Sequence, residues 1–148
     1  MCTSIRTIGC FALPLLLAGC ASAGLESSYV VTGDEIRTPL TSAAPDSARG
    51  RAILASRESN CVLCHAVPET GERFFGNTAP PLSGVGTRLN AGQIRLRIVD
   101  PRRLNRESIM PAYYRVDGLT RVAETYRGKP ILTAGQIEDV IAYLQMLK

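Results

Sequence analysis

Residues 60–66 read NCVLCHA, and what this turn is built to hold decides how the rest of the chain is read. Two cysteines separated by two residues serve a zinc site, a dithiol redox couple or a disulfide; with histidine directly after them they also fit covalent haem attachment. Zinc asks for about four ligands, yet His65 is the one histidine of the chain and no second cysteine pair follows. A redox dithiol wants a preceding strand and a βαβ context, and the pattern shows neither. A disulfide across two residues leaves His65 without a part. The remaining reading is c-type haem, one per chain. Cys61 and Cys64 add to its two vinyl groups as thioethers, and His65 offers the proximal nitrogen to iron.

The sixth ligand follows by elimination. Met1 leaves with the leader described below, so the candidates are Met110, Met146 or a lysine amine. Met146 stands beside Leu144 and Leu147 in an apolar helical stretch, where a core role is expected. Met110 lies in ESIMPAYYR, where Pro111 discourages helix. It is far enough along the chain to come round to the opposite haem face. His/Met ligation gives low-spin iron with a raised potential, suited to electron transfer, and no open coordination site for a substrate.

The chain begins MCTSIRTIGCFALPLLLAGCASAG. One positive charge (Arg6), a short apolar run and small residues make a secretory signal, too short to span a bilayer as a permanent helix. Two cuts fit. LAGC at 17–20 resembles the bacterial lipoprotein box, which makes 1–19 the signal peptide and Cys20 a lipid anchor; ASA at 21–23 fits ordinary signal peptidase. The lipoprotein cut is favoured, because leucine, two small residues and cysteine stand in order behind the apolar run. Either cut removes Cys2 and Cys10 and implies a periplasmic protein, with membrane contact through the lipid alone.

Loss of Arg6 leaves sixteen basic side chains against thirteen acidic ones. A run of arginines (88, 95, 97, 102, 103, 106) sits mid-chain without interleaved aromatics. In an exported protein this excludes nucleic acid. It leaves an anion-facing or partner-facing surface, or a solvated face.

Residues 20–45, rich in Ser, Thr, Ala and Pro, read as a flexible tether, and 46–148 as one small domain. Its first helix runs from Asp46 to about Arg57. LNAGQI at 89–94 and LTAGQI at 132–137 each carry an N-cap (Asn90, Thr133) with glutamine three residues on, a capping-box pattern. IRLRIV at 94–99 alternates like a strand, but the cap before it and Asp100-Pro101 after it favour helix. A further helix is expected over about 119–127, ending at Gly128. The last helix puts Ile137, Val140, Ile141, Leu144 and Leu147 on one face. The expected class is all-α.

GRAIL, CVLCH, APPLSGVG, Met110-Pro111 and the late Tyr143-Leu144 together resemble the class I cytochrome c family. The resemblance implies that fold, helices wrapped around one covalently attached haem. It further implies that Gly50 packs on the Tyr143 ring and that the Pro80 carbonyl accepts from His65. More narrowly, GNTAPPLSGVGTR, RIVDPRRLNRESIMPAYYRV and YRGKPILTAGQIEDVIAYL resemble the SoxX family, monohaem subunits of SoxAX cytochromes. That likeness implies a SoxA-like haem partner with a cysteine-ligated haem. The pair would join thiosulfate oxidatively to a cysteine of the SoxYZ carrier, an L-cysteine S-thiosulfotransferase activity. This chain would take electrons through its haem and pass them to a cytochrome acceptor, with no catalytic residue of its own. The alternative is a free-standing periplasmic or lipid-tethered electron carrier to a terminal oxidase. The arginine-rich block from 95 to 115, for which a simple carrier has no evident need, separates the two.

Overall fold

The computed structural model describes residues 28–148; the leader and Cys20 lie outside the described residues. Among the described residues four α-helices carry the fold: α1 (Ser47–Ala55), α2 (Val85–Arg88), α3 (Ala91–Val99) and α4 (Ala134–Met146), joined by loops with short 3-10 turns. Among the described residues the β-structure amounts to one isolated bridge, Thr32 with Glu35.

Local chemistry starts each long helix. Asp46 accepts from the Ala48 and Arg49 amides, and both capping boxes close, Asn90 with Gln93 and Thr133 with Gln136. Each satisfies amides that a helix start would leave without partners. α1 then crosses α4 backbone on backbone. A Cβ on Gly50 would stand 1.9 Å from the Asp139 carbonyl oxygen and 2.4 Å from its carbon, so only glycine fits. The nearest atoms are thus the α4 backbone and not the Tyr143 ring, which is buried one turn further on. Around this crossing Leu54, Ile137, Val140, Ile141 and Leu144 form the core with Ile94, Leu96 and Val99 of α3.

IRLRIV is helical, and its alternation has a packing cause. Ile94, Arg95, Leu96, Ile98 and Val99 are all buried, because α3 is enclosed on more than one face and no single apolar stripe is needed. Arg95, read with the arginine run as a surface residue, is 3% exposed. It forms a two-pronged pair with the buried Glu138 of α4 (Nε–Oε1 2.7 Å, Nη2–Oε2 2.8 Å) and donates to the Ile36 carbonyl at 2.6 Å. The Leu40 amide donates to the same carboxylate at 2.8 Å.

Those bonds hold the stretch from 28 to 45 against the domain, where the composition suggested a tether. Ile36 is 1% exposed, and its amide bonds the Gly92 carbonyl. Ile36, the partly buried Tyr29, Val31 and Leu40, and a few backbone groups satisfied by a distant ion pair seat a segment of unpromising composition.

Two further expectations fail. The 119–127 stretch is not a helix: it makes one 3-10 turn at Glu124–Tyr126, and Arg121 has φ +57°, outside the right-handed region. A nine-residue helix is marginal unless an apolar face is packed, and Tyr126 is exposed. Met146 is 63% exposed and not part of the core, because α4 turns it away from the face carrying Leu144.

Candidate haem site

Asn60, at φ +52°, turns the chain out of the region after α1 and into a 3-10 turn over Cys61–Leu63. The Cys64 and His65 amides both bond the Cys61 carbonyl, at 3.2 and 3.0 Å. The two cysteines and the histidine are therefore held on one tight turn. A second stretch clasps it, with Gly76 bonding Val62, Ala79 bonding Cys64 and Leu82 bonding Ala66, each through the backbone at 2.9–3.0 Å. Gly76 passes so close that a Cβ would meet the Leu63 carbonyl oxygen at 1.8 Å. The clasp places the Pro80 carbonyl 2.6 Å from His65 Nδ1. A carbonyl only accepts, so Nδ1 carries the proton and Nε2 keeps its lone pair for a metal.

The loop bearing Met110 is pinned along α3. The Tyr113 amide bonds the Ile98 carbonyl at 3.0 Å, Arg115 bonds Val99, and Leu132 bonds back to Tyr113. The Tyr113 hydroxyl donates to the Ser59 carbonyl, two residues before Cys61. Burial pushes this hydroxyl well above the ordinary tyrosine range, so it stays a protonated donor at any ordinary pH. Tyr113 thereby ties the Met110 loop to the cysteine turn. The sequence reading did not single it out, although an aromatic three residues after Met110 in MPAYY was the available signal.

Cys61, His65 and Met110 line one cavity of about 360 Å³. Its walls are apolar, among them Leu54, Leu82, Val85, Ile94, Ile98 and Leu144; Arg88 and Arg97 are its charged members, with no carboxylate. Interiors are otherwise close-packed. A central apolar cavity with two arginines, a metal-ready imidazole and a thioether sulfur fits a flat macrocycle with an anionic edge. Cys64 flanks the turn without lining the cavity and is half-buried. Met146 lies elsewhere, on the exposed face of α4. Arg88 is itself fixed by donating to the Ser83 and Pro81 carbonyls, and Arg97 by donating to Gln93.

The comparisons agree with this geometry. Residues 47–148 match the family model of cytochrome c. The fold matches a chain in the crystal structure of SoxXA from P. pantotrophus, with TM-score 0.75 and 35% identity. That match covers 81% of this chain and 94% of the other. No curated protein sequence matches significantly.

Proposed function

Because the chain belongs to the cytochrome c family, we propose that it is the monohaem electron-transfer subunit of a SoxXA-type complex. The observation that carries this reading is the likeness to SoxXA along 94% of that chain at 35% identity. A one-electron couple at iron is what a bound haem supplies.

The chain's own residues do the rest. Cys61 and Cys64 anchor the group as thioethers. His65 is oriented by Pro80, which also makes its imidazole a better donor. Met110 would offer its thioether sulfur to a bound haem and raise the potential. Arg88 and Arg97 would offset the charge of a haem's propionates, and the apolar walls would keep water from the site. Nothing in this set offers a nucleophile or a base. The chemistry of joining thiosulfate to the SoxYZ cysteine belongs to the SoxA-like partner, whose electrons this chain passes to a cytochrome acceptor.

The setting is the periplasm, with Cys20 as a lipid tether. Cys20→Ser is expected to release the protein from membranes; a wild type already fully released by osmotic shock would favour the ASA cut. The partnership is tested by affinity purification from the native host. A second haem subunit in equal amount is expected, and a chain that purifies alone while reducing an oxidase would be the free-standing carrier instead.

A further inference from the structure

Met110 lines a second concavity as well as the central one, a pocket of about 340 Å³ formed by the loops that follow α3. Arg102, Arg115, Arg121 and Lys129 line it, together with Pro111 and Thr120, and no carboxylate does. Arg115 is partly offset from behind, its Nε lying 3.1 Å from Asp100 Oδ1, within ion-pair distance but outside hydrogen-bond geometry. Among the described residues the side chains of Arg102, Arg121 and Lys129 make no ion pair or hydrogen bond. Arg121 joins the group from a left-handed backbone conformation, φ +57°, which costs a non-glycine residue and persists only where the surroundings impose it.

Like charges gathered around one concavity repel, whereas Arg49 and Arg95 are each met by a carboxylate, that of Asp139 and that of Glu138. Here four cations converge with only Asp100 behind one of them. We propose that this pocket binds a small, multiply charged oxyanion of the tetrahedral sulfate class. Guanidinium and ammonium donors make charge-assisted bonds to such oxygens, and the volume holds the ion with part of its water. The site is separate from the haem cavity, and Met110 is the wall between them. A bound dianion therefore stands one side chain from the position that Met110 occupies towards iron, where negative charge favours the oxidised state and lowers the potential. The proposal does not rest on membership of a Sox complex; the haem serves only as a reporter.

The test uses the full haem-loaded protein and sodium sulfate, titrated calorimetrically against sodium chloride at matched ionic strength, with the midpoint potential measured in parallel. One saturable sulfate site is expected, with a lower potential in sulfate than in chloride. Arg121→Gln and Lys129→Gln should each weaken it by about tenfold, the scale of one lost hydrogen bond to a charged group. Arg57→Gln, on an exposed residue beyond α1, should leave it unchanged. If Arg121→Gln fails to fold, Lys129→Gln carries the same expectation alone. Sulfate indistinguishable from chloride would overturn the proposal and leave the pocket as a docking face for an acidic protein. A saturable site that neither variant weakens would overturn it too.

Discussion

His65 donates its Nδ1–H to the Pro80 carbonyl in a hydrogen bond of 2.6 Å, and that bond fixes which nitrogen is free for iron. Met110 lines the same cavity and depends on its loop, held by Tyr113 to the Ser59 carbonyl and to Ile98. Met110→Ala is expected to open the sixth position, lower the potential, and let carbon monoxide bind the reduced protein readily. Absorption spectra with and without carbon monoxide check this; an unchanged spectrum would remove Met110 from the iron. At this scale the sequence was most legible where covalent chemistry restricts the choice, as in CVLCH with a single histidine. Arg95 was illegible, because its burial depends on Glu138, forty-three positions away, and nothing local marks an arginine as paired. Met146 misled for a related reason. Its apolar neighbours point into the core, while its own place on the α4 turn faces solvent.

Among the elements, α4 organises the others: α1 crosses it at Gly50, while the Glu138 carboxylate joins α3 and the 28–45 segment to it. Glu138→Ala leaves the Arg95 guanidinium buried without its anion, and removing one partner of such a pair costs about 3–5 kcal/mol. Urea unfolding of the holoprotein should show that loss. A variant within a few tenths of a kcal/mol of wild type would mean the pair is not what seats the segment.

Asp139, next along α4, adds a pH dependence. Burial pushes its carboxyl up, but the Arg49 guanidinium at 2.8 and 3.0 Å and the Asp46 amide at 2.6 Å more than offset this. Its folded pKa therefore lies below the unfolded value of about 3.9. A depressed folded pKa stabilises fully above the unfolded value, and that contribution disappears as the pH falls through the folded one. Unfolding midpoints measured downward from pH 5 should drop more steeply for wild type than for Asp139→Asn; parallel curves would contradict the assignment. The capping boxes of α3 and α4 were readable because a cap is a local device of four residues. The 119–127 stretch was misread because Leu119, Val122 and Tyr126 have helical spacing without a surface to pack on, and spacing alone does not supply one.

For the molecule as a whole, the class was legible from the absence of strand patterning and from the motif. The seating of residues 28–45 was not, because it rests on scattered apolar side chains (Tyr29, Val31, Ile36, Leu40) and on bonds to groups far along the chain. The proposed function leaves the chain's reactive groups all committed. On the proposed reading both motif cysteines would be taken up as thioethers, His65 and Met110 would serve the iron, and the basic residues bind, brace or attract. The proposed function has such a molecule move electrons and leave bond-making to a partner. The measurement that tests this most directly is a conjugation assay with thiosulfate, the SoxYZ carrier and a cytochrome acceptor, run on the purified chain alone and with its SoxA-like partner. The chain alone should give no conjugate while remaining reducible, and adding the partner should start turnover, which falls as salt rises. Appreciable conjugation by the chain alone would contradict the account, since it would place the chemistry on residues that are, on this reading, already occupied.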